Sequence, residues 1–205
     1  MNPSPRTTTL TVTLTLGLLT AGLLAGCATA PTSTSSPSAS VDRHAAVGTC
    51  DGGDGCAIGD IGPGGGKVFY DAGSVQPWGR YMEMGPEFTR TEWCDVWDLF
   101  VAGTKELIGS GKENTDKIVA ACGAGAANTV SDYGGGGKTD WFLPSRDELN
   151  ELYKQRDSVG GFETDKYWSS SQYVAYAAWG QYFTNGYQSG SATHYANGVR
   201  PVRAF

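Results

Sequence analysis

Thr139-Asp140-Trp141-Phe142-Leu143-Pro144-Ser145-Arg146-Asp147-Glu148-Leu149 passes from an aromatic entry into a helix start, and the elements on either side of it decide the fold. Ser145 and Glu148 stand at the S-x-x-E spacing of a capping box, Asp147 suits the positive end of the helix dipole, and Leu149, Leu152 and Tyr153 recur at helical spacing. A helix is therefore expected to about Gln155. Charges in the first turns of such a helix ordinarily face water, so Asp147, Glu148 and Glu151 are expected to be solvated rather than paired catalytic acids.

Downstream of Gly160-Gly161 the pattern changes to strands. Tyr167–Ser171, Ala178–Phe183 and Val199–Phe205 read as three of them, with Asn185-Gly186 and Asn197-Gly198 as tight-turn signals. Pro201 suits a strand edge or a bulge. A hydrophobic last strand implies that the C-terminus is tied into a sheet. Upstream, Gly134 to Gly137 form a flexible loop, and Asn114-Thr115-Asp116 can cap a helix running from Lys117 to Cys122 and stopping at Gly123. Gly59-Asp60-Ile61-Gly62-Pro63-Gly64-Gly65-Gly66 leads into a strand at Lys67–Tyr70, and a second strand is expected at Gly79–Met84. This glycine run is not a phosphate loop, because no Lys-Ser or Lys-Thr pair follows and it feeds a strand rather than opening a helix. Glu92–Trp97 adds aromatic bulk.

The N-terminus carries a different message. Arg6 supplies a weakly positive head, Leu10 to Leu24 form an uncharged apolar stretch, and Leu24-Ala25-Gly26-Cys27 resembles the lipobox of bacterial lipoproteins. That resemblance implies a signal peptide over residues 1–26, cleavage before Cys27, and acyl chains on the Cys27 thiol that hold the protein in the lipid bilayer on the extracytoplasmic face of the cell membrane. Each buried CH₂ of such chains contributes about 0.8 kcal/mol, so durable attachment takes more than one chain. Residues 27–47, dominated by Ala, Thr, Ser and Pro, read as an extended tether with a span on the order of 25 Å.

Removing residues 1–26 takes Arg6 from 15 Lys and Arg, leaving 14 against 21 Asp and Glu, a net charge of −7. A domain over residues 48–205 with that balance opposes nucleic acid as a long-range partner. Besides Cys27 there are four cysteines, an even number in an exported chain, which read as two disulfides rather than metal ligands. Of the three pairings, Cys50–Cys56 with Cys94–Cys122 is favoured, because the first pair flanks the turn Asp51-Gly52-Gly53-Asp54-Gly55. Asp51, Asp54 and Asp60 offer oxygens to a structural calcium. Their spacing is not that of an EF-hand, though, and Asp beside Gly is ordinary turn chemistry, so no metal and no cofactor are expected.

Three stretches together resemble one family: Gly59–Tyr70, Thr139–Leu149, and Tyr167–Ser171 with the terminal Val199-Arg200-Pro201-Val202-Arg203-Ala204-Phe205. They are similar to the Lcl C-terminal-like domain of bacterial surface proteins, over roughly Ala57 to Phe205. The resemblance implies an α+β, C-type lectin-like fold, with two helices packed on a small twisted antiparallel sheet and long loops. It also implies a surface role. The Glu-Pro-Asn, Gln-Pro-Asp and Trp-Asn-Asp motifs of calcium-dependent sugar-binding lectins do not occur; the comparable strand reads Trp179-Gly180-Gln181.

The expected function is a non-catalytic, membrane-anchored binding or adhesion module for a glycan or an envelope or host protein. Tyr173, Tyr176, Tyr187, Gln188, His194, Tyr195 and Asn197 fall in or near expected loops and are the candidate ligand-binding residues, because Tyr and Asn combine rigid area with hydrogen bonding. No catalytic residue is expected, since the chain has two histidines and no Ser-His-acid spacing. The alternatives are an envelope enzyme related to the formylglycine-generating oxidases, and a structural envelope lipoprotein without a small ligand.

Overall fold

The computed structural model describes residues 48–50, 55–163 and 165–205. The signal peptide, Cys27, the tether, Asp51 and Asp54 lie outside the described residues. The domain is α+β, and its strands form two sheets. The first is antiparallel and has the order β1 (Lys67–Gln76), β2 (Gly79–Met84), β8 (Val202–Ala204). The second has the order β3 (Phe88–Thr91), β7 (Asn197–Val199), β4 (Lys166–Val174), β5 (Ala177–Tyr182), β6 (Gln188–Ala192), and is mixed because β4 and β7 run parallel. Among the described residues four α-helices accompany them where two helices were expected: α1 (Gly111–Ala121), α2 (Ala126–Ser131), α3 (Arg146–Lys154) and α4 (Arg156–Val159).

The last residues hold the sheets together. The expected strand Val199–Phe205 is two strands in different sheets, parted at Arg200-Pro201. Proline has no N–H for a ladder, so the chain changes sheets where continuing would leave a gap. Pro201 instead accepts from Gly85 N at 2.9 Å. Beyond β8, Phe205 donates to Tyr81 O at 3.0 Å, and its own carbonyl accepts from Arg80 N and Tyr81 N, so the terminus is tied in as expected. Gly198 does not make a turn. It lies within β7 opposite Tyr167, and a Cβ there would stand 2.8 Å from that ring, so this glycine admits an aromatic side chain.

Three buried clusters form the core. Trp93, Ile118, Trp141, Leu143, Trp168 and Val199 belong to one; Phe69, Met82, Phe142, Leu149, Leu152 and Tyr167 to a second; Cys50, Val68 and Tyr81 to a third. Helix α1 starts earlier than Asn114-Thr115-Asp116 suggests. Asn114 is buried inside it, with Nδ2 donating to Lys105 O at 2.7 Å and Oδ1 accepting from Lys105 N at 2.8 Å. Its amide therefore latches a preceding loop instead of capping. Both disulfides form with the favoured pairing, Cys50–Cys56 and Cys94–Cys122.

Helix α3 begins with the expected capping box at Ser145 and Glu148. The solvated position expected for Glu148 is overturned, since the side chain is fully buried. It accepts from Ser145 N at 2.7 Å and from Gly109 N and Gly111 N at 2.7 and 3.2 Å. Burial pushes its carboxyl up to about 7, and the backbone donors only partly oppose this. Asp147 and Glu151 are half-buried and paired, with Arg146 at 3.0 Å and Lys154 at 2.7 Å. The glycine run before β1 has a related purpose. Gly64 N and Gly66 N donate to Glu83, a fully buried carboxylate on β2 that also receives Arg203 Nη1 at 2.9 Å. Successive backbone N–H groups do cradle an anion here, but that anion is the protein's own side chain.

Candidate functional site

Aromatic side chains stand out from the loops at one end of the five-stranded sheet and along its β4–β5–β6 part. The segment Trp93-Cys94-Asp95-Val96-Trp97 shows how the backbone achieves this. Trp93 and Cys94 are buried, and Trp93 Nε1 donates to Ser169 O at 2.8 Å. The Cys94–Cys122 bridge ties the same segment to the end of α1. Three residues later Trp97 emerges, 56% exposed. From the sequence alone Glu92–Trp97 is only aromatic bulk; the display of Trp97 depends on two anchors far apart in the chain.

Around Trp97 the structure gathers three of the expected ligand-binding residues. His194 meets the indole edge-on at a centroid distance of 4.7 Å, Tyr176 lies 6.4 Å away, and Tyr195 stands edge-on to His194 at 4.5 Å. The loops that carry them are hydrogen-bonded to each other: Thr193 N donates to Tyr176 O at 3.0 Å, and Trp93 N donates to Thr193 O at 2.8 Å. Tyr176 and Tyr195 remain more than half exposed.

Tyr173 belongs to a second group. Its ring meets Trp179 edge-on at 4.8 Å and lies over Gly190, where a Cβ would come within 2.9 Å. Trp179 is fixed in turn, with Nε1 donating to Glu106 Oε1 at 2.9 Å and the Arg146 guanidinium 5.2 Å from its ring centre. Arg146 also pairs with Glu106. Tyr187 forms a third group, stacked on Tyr182 at 6.5 Å, with Lys166 Nζ 5.1 Å from the Tyr182 ring centre. Burial lowers the Lys166 pKa, which softens its hold on a proton beside these rings.

Gln188 and Asn197 occupy a different kind of position. Gln188 Nε2 donates to Arg146 O at 3.0 Å, and Asn197 Nδ2 donates to Ser191 Oγ at 3.1 Å, so both amides brace strands. The residues brought together at the surface are thus Tyr176, His194 and Tyr195 with the unanticipated Trp97, while Tyr173 and Tyr187 stand in separate pairs.

Among the described residues, one group of metal-ligating types lies within ligand distance, Cys94, Asp95 and Cys122, and both of its sulfurs are committed to the disulfide. Asp60 accepts from Gly48 N at 3.0 Å and Ala57 N at 2.8 Å, which is turn chemistry. His194 is the single histidine among the described residues, and its ring packs against Trp97 and Tyr195. No described helix is long and apolar enough to cross a membrane.

No curated protein is significantly similar to the chain. The Lcl C-terminal domain matches residues 87–203, a span that starts after β2 rather than at Ala57, takes in every element from β3 to β7 and ends within β8. Both the capped α3 helix and the change of sheet at Pro201 fall inside it, and the chain belongs to the Lcl C-terminal domain family.

Proposed function

We propose that the protein is a non-catalytic binding module on the extracytoplasmic face of the membrane, anchored through acylated Cys27, with a C-type lectin-like domain that meets a glycan or protein ligand at its aromatic loops. The observation that supports this best is the cluster of Trp97, Tyr176, His194 and Tyr195. Large rings left half in water by three loops that are bonded to one another and stapled by a disulfide offer rigid contact area at low entropic cost. Family membership favours a surface role. With both sulfurs joined in the Cys94–Cys122 bridge, a binding role is better supported than the oxidase alternative.

The test is binding of the full-length protein to glycan arrays and to envelope and host protein fractions, with Trp97→Ala and His194→Ala alongside. Loss of the bound ligand in both variants, with unchanged thermal unfolding, supports the assignment. A ligand bound equally well by both variants removes this surface from consideration. For the anchor, the expected result is a mature N-terminus at Cys27 carrying acyl mass; an unmodified thiol there refutes it.

A further inference from the structure

We propose that the domain also holds one neutral sugar ring in a pocket between the β1–β2 turn and the start of α1, apart from the aromatic loops. The pocket has a volume of about 170 Å³, with Trp78, Met82 and Phe142 as walls, Gly109 as floor, and Lys112 and Asp140 at the rim. Roughly five or six waters would fill that space at their liquid volume, which suits a single six-membered ring with its substituents rather than a chain.

Four of the six indoles have acceptors for their N–H: Trp93 on Ser169 O, Trp141 on Gly135 O, Trp168 on Thr91 O and Trp179 on Glu106 Oε1. Trp78 has none among the described residues, and its ring edge carrying Cδ1 and Nε1 lies over Gly109. The rim supplies complementary groups. Lys112 bonds Asp116 at 2.5 Å and keeps further N–H donors, while Asp140 gives Oδ1 to Arg203 at 2.5 Å and leaves Oδ2 uncommitted among the described residues. Apolar walls with two donors and one acceptor match a pyranose, whose C–H surfaces are apolar and whose hydroxyls both donate and accept. A ligand anion would face Asp140 and a ligand cation Lys112, so the rim selects a neutral ring.

The floor is set before any ligand arrives. Gly109 N and Gly111 N both donate to Glu148 Oε1, and Gly109 has φ +87°, with a Cβ there only 2.1 Å from Trp78 Cδ1. Glycine at this position is what lets the indole lie down, and a floor already ordered lowers the entropic cost of binding.

This pocket stands whether or not the aromatic loops bind anything, and one experiment separates the two. The full-length protein, labelled at its indole nitrogens, is titrated with the methyl glycosides of glucose, galactose, mannose and N-acetylglucosamine. The Trp78 resonance is identified by its loss in Trp78→Phe. A saturable millimolar shift of that resonance is expected with at least one glycoside, weakened about fivefold in Lys112→Ala, an exposed rim change that leaves the core alone. Tyr187→Ala and His194→Ala leave the titration unchanged. The proposal is overturned if none of the four glycosides moves the Trp78 signal saturably. It is equally overturned if saturation transfer shows undiminished binding when Trp78→Ala is placed on top of Trp97→Ala, or if methyl glucuronide or glucosamine shifts the Trp78 signal more tightly than every neutral glycoside.

Discussion

Glu148→Gln is the perturbation that probes this structure most sharply. The side chain is fully buried, and desolvation raises its pKa from 4.5 to about 7 against the opposing pull of the Ser145, Gly111 and Gly109 N–H groups. Between these two values the folded protein keeps a proton that the unfolded chain has released. Stability from this group is therefore fully present below about pH 4.5 and is lost as pH rises through 7. At about 1.4 kcal/mol for each pKa unit, the whole effect is about 3 kcal/mol, and about 2 kcal/mol of it falls between pH 5 and 7.5. The variant cannot titrate, and it leaves one of the three backbone N–H groups facing an amide N–H, a loss of roughly 1–3 kcal/mol at either pH. Urea unfolding at pH 5 and pH 7.5, with the disulfides intact, gives the double difference in which all other titrating groups cancel. The parent should lose about 2 kcal/mol more than Glu148→Gln on going to the higher pH. A parent that gains stability relative to the variant over this interval would refute the argument, because the carboxyl would then be held in its ionised form.

Three further outcomes follow from the geometry. Deleting Phe205 removes three backbone hydrogen bonds to β2 and a ring contact with Tyr81 at 5.7 Å, and should cost about 3 kcal/mol in denaturant unfolding; an unchanged midpoint would show the terminus to be dispensable. Opening the 28-residue span with Cys94→Ser and Cys122→Ser together should destabilise by roughly 3–4 kcal/mol and also release Trp97, seen as faster quenching of its fluorescence by iodide. Gly109→Ala should destabilise by more than 1 kcal/mol, since it meets both a positive φ and the Trp78 ring, and a neutral melt would mean that the indole can lie elsewhere.

Much of this architecture is legible from local sequence. The capping box at Ser145 reads directly because its two members are three residues apart, and the strand Gly79–Met84 because its ends carry turn residues. The short disulfide reads from its turn. What escapes local reading depends on partners far along the chain. Glu148 looks like a surface acid until a loop 37 to 39 residues upstream folds over it, and Gly198 looks like a turn until Tyr167 lies against it. Strand β6, Gln188-Ser189-Gly190-Ser191-Ala192, has no hydrophobic alternation because it is an edge, and its ladder with β5 does the work that side chains do elsewhere. The candidate surface was half visible. Tyr and His at loop positions could be picked out by type, whereas Trp97 is displayed only because Trp93 and Cys94 are pinned beneath it.

Strand β7 is an interior member of one sheet and β8 an edge of the other, yet both come from the one short stretch Asn197–Ala204. Without that stretch β3 has no neighbour and β2 lacks one of its two. A break or slip within these few residues would therefore open both sheets at once, so the stretch acts as a common clasp.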